Sequence, residues 1–135
     1  MKKKGIINAD IASVLAYLGH MDKIAIGDAG LPVPDHVLRI DLAVKPGLPR
    51  FQDVLETVLD DMHVETIYLA EELKTMNPTM HQTIQTLCPD TSTEYMPHAR
   101  FKEDLNDCKA VIRTGEVTPY SNIILQSNVF FNSGE

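Results

Sequence analysis

Four places in this sequence carry side chains that can move protons or make several hydrogen bonds: His20, Asp28, His98 with Lys102, and Tyr120 with Asn122. An imidazole exchanges a proton near neutrality, which suits His20 to general acid or base work. At the exit of a helix it serves equally well as a favourable partner of the helix dipole. Asp28 directly follows an apolar run, Lys23-Ile24-Ala25-Ile26-Gly27, and precedes Ala29-Gly30-Leu31-Pro32-Val33-Pro34. A carboxylate there can accept hydrogen bonds from a ligand or a metal, or organise the turn through its own backbone. The residues alone leave both roles open. His98 and Lys102 stand four apart, so on a helix they share one face and enter one pocket together or solvent together. Tyr120 and Asn122 follow a proline-containing loop, and the Asn122 amide both donates and accepts. His36, His63 and His81 fall near turns or helix surfaces and read as structural or solvated.

Familiar signatures of other chemistry are missing. There is no P-loop, no glycine-rich dinucleotide loop, no Gly-x-Ser-x-Gly elbow and no His-Glu-x-x-His. A metal site from His20, Asp28 and His98 has no ligand spacing behind it, so no metal is expected. Cys88 and Cys108 form neither a Cys-x-x-Cys pair nor a zinc-finger pattern and read as reduced, structural thiols. With 12 Lys+Arg against 19 Asp+Glu the net charge is −7, which repels a phosphate backbone and argues against nucleic acid as a partner. No apolar run reaches the roughly 18 residues of a membrane span. Lys2-Lys3-Lys4 and the apolar residues after them superficially resemble a signal peptide, but Asp10 interrupts them and no small-residue cleavage site follows.

The elements that must position these groups are legible from periodicity. Ile11, Val14, Leu15 and Leu18 make the stripe of a helix over residues 9–18, capped by Asn8 or Asp10 and closed by Gly19, which delivers His20 at its exit. Residues 23–27 predict a buried strand and 37–42 a half-exposed one, followed by the turn Lys45-Pro46-Gly47-Leu48-Pro49. Phe51, Val54, Leu55, Val58, Leu59 and Met62 predict a second helix, and residues 64–69 a third strand. A helical turn near 70–74, a helix over 79–87, a short strand at 94–96, a helix over 98–105 and strands at 110–113 and 122–125 complete the chain. Alternating helices and strands in 135 residues predict one α/β domain over residues 1–131, three-layered, with a mixed, partly parallel sheet covered by helices and a frayed tail at 132–135.

Taken together, Gly19-His20, Asp28-Ala29-Gly30-Leu31-Pro32-Val33-Pro34, Arg39-Ile40-Asp41, Lys45-Pro46-Gly47-Leu48-Pro49, Val111-Ile112-Arg113-Thr114-Gly115-Glu116 and Pro119-Tyr120-Ser121-Asn122-Ile123-Ile124-Leu125 resemble the D-ribose pyranase family, relatives of the fucose mutarotases. The likeness runs from Lys3 to Phe131, and the Gly-Leu-Pro-x-Pro loop after the aspartate favours the ribose branch. It implies a cytoplasmic, cofactor-independent isomerase that interconverts the β-pyranose and β-furanose forms of D-ribose. By the same resemblance His20 falls on the proton donor, Asp28, His98, Tyr120 and Asn122 on sugar-binding positions, and Lys102 in the same pocket. It further implies pentameric rings stacked into decamers, with each sugar site at a subunit boundary.

Three departures stand out: Ser121 where the pattern has alanine, Gly27 before the aspartate, and Ser127-Asn128 in place of a small Ala-Gly pair. None touches a residue with an implied chemical role. Two other functions remain open at this level, a non-catalytic sugar-binding module linked to ribose uptake and a mutarotase acting on fucose or another sugar.

Overall fold

The computed structural model describes residues 1–131; the tail expected at 132–135 lies outside the described residues. A helix, α1 (Ala9–Tyr17), leads into β1 (Lys23–Gly27), and β2 (Leu38–Asp41) follows the proline-rich loop. Next come α2 (Phe51–Leu59), β3 (Val64–Ala70), α3 (Leu73–Met76), α4 (Pro78–Leu87), β4 (Ser92–Met96) and α5 (His98–Asp104). A 3-10 turn (Leu105–Asp107), β5 (Ala110–Arg113) and β6 (Ile123–Ser127) end the fold. The strands form one six-stranded sheet in the order β2-β5-β1-β6-β3-β4. β1 and β2 both run parallel to β5, and β3 runs parallel to β4. β6 is inserted antiparallel between β1 and β3, which makes the sheet mixed.

Strand alternation divides the core into two layers, because successive side chains point to opposite faces. Ile24, Ile26, Ile67, Leu69, Ile112, Ile123 and Leu125 pack with Ile11 and Val14 of α1, Val54, Leu55 and Val58 of α2, and Ile84 of α4. Ala25, Val111 and Ile124 face the other way, onto Phe101, Leu105, Leu31 and Val37. This is the expected three-layer arrangement. Cys88 and Cys108 are free and buried, and burial pushes their thiols up to about 11 and about 12, so both stay protonated. Among the described residues no helix is long and apolar enough to cross a membrane.

The ends of α1 correct one detail. Asn8 caps its start by accepting from the Ile11 N–H at 2.9 Å, as expected, but the helix stops at Tyr17 with Leu18 extended. Gly19 does not take the left-handed conformation. Instead Asp22 accepts from the Gly19 N–H at 2.8 Å and Met21 adopts φ 73°, so a side-chain-closed turn, not a C-terminal glycine, presents His20.

Candidate active site

The carboxyl ends of β1, β5, β3 and β4 all open on one side of the sheet, the side where ligands bind in parallel α/β architectures. Asp28 emerges from β1 there. Its backbone N–H donates to Asn122 Oδ1 at 2.8 Å, and its own Oδ1 accepts from the Gly30 N–H at 2.9 Å. The turn-organising role of Asp28 is therefore real, and it coexists with a place on the wall of a cavity. That cavity, of about 470 Å³, is lined by Asp28, His98, Lys102 and Tyr120, with Leu31, Pro32, Met76 and Pro119 supplying apolar surface.

Asp28, His98 and Tyr120 on this wall are each held by contacts behind them. Pro97 precedes α5 and offers no side-chain cap, so the carboxylate of Glu72 takes over, accepting from the His98 N–H at 3.0 and 3.2 Å. The His98 ring meets Tyr120 edge-on with centroids 5.0 Å apart. Tyr120 itself sits at φ 57°, a strained conformation for a non-glycine residue. Its loop is held by Asn77, which donates to the Pro119 carbonyl at 2.9 Å, and by the Asn122 N–H, which donates to the Tyr120 carbonyl at 2.8 Å. Behind the loop, the buried Glu116 carboxylate accepts from the Phe51 N–H and from the Thr118 hydroxyl, at 3.1 and 2.8 Å.

Two buried polar atoms at this end have no hydrogen-bond partner, His98 Nδ1 and Asn122 Nδ2. Buried polar groups are almost always paired, so an orphan donor and an orphan ring nitrogen at this end of the sheet are groups that a ligand's hydroxyls could satisfy. Burial pushes His98 below its ordinary value, with Lys102 adding to the effect and Glu72 and Asp28 opposing it. Its ring is thus neutral near pH 7 and able both to donate and to accept.

His20 is not part of this cluster. It lies before β1 while Asp28 lies after it, and a five-residue strand spans roughly 16 Å. At its own end His20 Nε2 pairs with Glu65 Oε1 at 2.7 Å, the other oxygen of Glu65 accepts from Gln126 Nε2 at 2.6 Å, and Gln126 Oε1 accepts from the Tyr68 hydroxyl at 2.5 Å. A metal shared by His20, Asp28 and His98 has no geometric basis in one chain. Of the remaining histidines, His36 bonds the Asn106 carbonyl, His63 stacks on Phe130 and His81 bonds the Tyr95 hydroxyl. The structure places Asp28, His98, Lys102 and Tyr120 around one cavity and bonds Asn122 to the Asp28 N–H, while Glu65, Glu72 and Gln126 were not singled out from the sequence. The one available signal for Glu65 was a charge inside the otherwise apolar run of β3.

Residues 1–130 match the RbsD / FucU transport protein family. The D-ribose pyranases of Pediococcus pentosaceus and Enterococcus faecalis are 55% and 54% identical, each alignment covering 97% of this chain and 100% of the relative. Bacillus subtilis RbsD, solved complexed with D-ribose, superposes with a TM-score of 0.95 at 52% identity, over 97% of this chain and 100% of that one. The fucose mutarotase of Streptococcus pneumoniae, solved with L-fucose, shares the fold with a TM-score of 0.74 at 24% identity, over 93% and 95% of the two chains. Full-length agreement in sequence and fold has one reading: the chain belongs to the RbsD / FucU family.

Proposed function

We propose that this chain is a D-ribose pyranase, an isomerase that interconverts the β-pyranose and β-furanose forms of D-ribose. The observation that carries the reading is the pair of orphaned buried atoms, Nδ1 of His98 on the cavity wall and Nδ2 of Asn122, the residue bonded to the Asp28 N–H, in a chain 52% identical to the ribose-complexed RbsD. Asp28, His98, Lys102, Tyr120 and Asn122 hold the sugar's hydroxyls. His20 is the proton donor. Opening the pyranose delivers a proton to ring oxygen O5 while the anomeric hydroxyl loses one, so the C1–O5 bond breaks and C1 becomes a carbonyl. Reclosure adds O4 to C1, with O4 losing its proton and the carbonyl oxygen gaining one. Neither step needs electrons or a group from elsewhere, so the reading requires no cofactor. Positioned acid-base groups commonly supply about 10²- to 10⁴-fold acceleration, enough for a reaction that already proceeds in water.

Because His20 stands at the far end of β1, the His20 that serves each cavity comes from a neighbouring copy of the chain. The assembly we infer is a pentameric ring, two of which stack into a decamer, with each chain acting as one unit over residues 1–131. The exposed apolar side chains of Leu38, Val44, Leu48 and Val117 support such contacts. Free cysteines suit the reducing cytoplasm as its site of action. Magnetisation-transfer NMR on equilibrated D-ribose tests the activity, with L-fucose in parallel. Faster pyranose-furanose exchange of ribose is expected, and no increase over buffer with folded protein would overturn the reading. Calorimetric ribose binding without acceleration would mark a binding module instead, and acceleration confined to fucose would mark a mutarotase.

A further inference from the structure

The Glu65 carboxylate meets His20 Nε2 at 2.7 Å and is itself gripped on its second oxygen by Gln126 at 2.6 Å, with Gln126 held in turn by Tyr68 at 2.5 Å. We infer that Glu65 is the positioning residue of the acid that protonates the sugar, and that Nδ1 of His20 is the atom that hands over the proton. This rests on the reading of His20 as the proton donor.

The argument begins with what a carboxylate can do. Ionised, it only accepts, so the ring atom facing it carries hydrogen, which fixes Nε2–H in every protonation state of His20. The hydrogen bonds from His20 and, next, from Gln126 hold Glu65 below the usual carboxylate range, so it stays ionised at neutral pH. With both oxygens engaged, Glu65 has little freedom to swing away. The second proton of the imidazolium then sits on Nδ1, which makes no hydrogen bond among the described residues and leaves the chain facing outward. Exposure agrees: the Glu65 side chain is 25% exposed, His20 49%. The anchor is shielded while the ring tip is open to a neighbour's cavity. Other charged groups at this end are committed elsewhere. Asp22 caps Gly19, the Lys23 ammonium lies 4.8 Å over the Tyr68 ring, and Glu94 and Asp104 act on the Tyr68 hydroxyl.

The test uses the full chain, comparing Glu65→Gln with the natural protein in ribose exchange. Exchange at neutral pH should slow about tenfold, a fraction of the general-acid contribution, with ribose affinity by calorimetry unchanged. In protein labelled with [15N]histidine, the neutral His20 ring should appear as the Nε2–H form, and Glu65→Gln should introduce the other tautomer. Rate and tautomer both unmoved would overturn the inference. Should Glu65→Gln fail to fold, Gln126→Met leaves Glu65 one bond short and should slow exchange and admit the other His20 tautomer to a smaller extent, and rate and tautomer both unmoved there overturn the inference too. A His20→Gln protein with full exchange would instead overturn the role of His20 itself, which keeps the two failures apart.

Discussion

The two ends of β1 are built on opposite plans. At the carboxyl end, around Asp28, the chain leaves His98 Nδ1 and Asn122 Nδ2 buried and unpaired and holds Tyr120 in a strained backbone conformation. At the amino end, the run Tyr68–Gln126–Glu65–His20 pairs each side chain with the next. Unpaired buried polar atoms cost stability unless a ligand satisfies them, so the first end is made to receive. The second end spends its hydrogen bonds on aiming one imidazole outward. On the proposed roles, reception and delivery lie too far apart to act on one molecule within one chain, and that distance is the reason we propose an oligomer.

The sharpest way to break this comparison is to damage the two ends in separate chains. His20→Ala and Asp28→Asn, each alone, should lose ribose exchange by about 100-fold or more, the scale of a removed acid-base group. His20→Ala should still bind ribose in calorimetry. Mixed rings formed by coexpressing both variants should then recover about a quarter of natural activity, since in a head-to-tail ring random mixing gives each intact cavity an intact neighbouring His20 half the time. No recovery in mixed rings of confirmed composition would place the complete site within one chain.

Asn122 tests the receiving end next. Its Oδ1 takes the Asp28 N–H at 2.8 Å while its Nδ2 waits for a partner. Asn122→Ala strands the Asp28 N–H and should lower stability by about 1–3 kcal/mol, the cost of a buried donor without an acceptor. Ribose affinity should fall about tenfold with it, one charge-free contact and one displaced aspartate turn accounting for the loss. Chemical denaturation and calorimetry read the two effects separately, and an unchanged affinity would remove Asn122 from the sugar site.

A smaller effect comes from pH. Burial, then Lys102, depresses His98, so its folded value lies below its unfolded one. A group depressed in this way lets the folded site remain intact above the ordinary histidine value of about 6.5 and weakens it as pH falls through the folded value. Ribose affinity should be level from neutrality down to about pH 6.5 and decline a few-fold below it. His98→Gln should flatten that decline. His81 is depressed by burial as well, but its bond to the Tyr95 hydroxyl lies outside the cavity, so it bears on stability and leaves affinity alone.

How much of this was legible beforehand differs between the two ends for a physical reason. The elements were readable because each strand alternates its burial and each helix repeats it: Ile24 and Ile26 against Ala25, and Phe51, Val54, Leu55 and Val58 along α2. Asp28 was readable because a carboxylate ending an apolar strand is unusual, and His98 with Lys102 because helix spacing joins them. Glu65 and Gln126 were not readable, since they are 61 residues apart and meet only through the antiparallel pairing of β3 with β6. Glu72 was hidden likewise, because its role is to cap a helix 26 residues downstream. The exit of α1 misled for a local reason: Asp22 closes that turn with its side chain and leaves Gly19 nothing left-handed to do.

Ser121 sets the lower bound on what the loop behind the cavity contributes. Its hydroxyl is fully buried, 2.7 Å from the Thr118 hydroxyl and 3.3 Å from Asn77 Nδ2. Thr118 commits its only hydrogen to Glu116, so in the contact between the two hydroxyls Ser121 donates and Thr118 accepts. Ser121→Ala takes away that donor and one acceptor of Asn77. Yet Asn77 still donates to the Pro119 carbonyl, and Thr118 still donates to Glu116, so no buried group is left wholly without a partner. The change should therefore cost about 1 kcal/mol or less, the net worth of one neutral hydrogen bond. Ribose affinity should move by less than about twofold, because Tyr120 keeps its anchors at Pro119 and Asn122. A large loss of affinity at unchanged stability would mean that the loop responds to a single hydroxyl, and the receiving end would then be less rigid than its paired backbone implies.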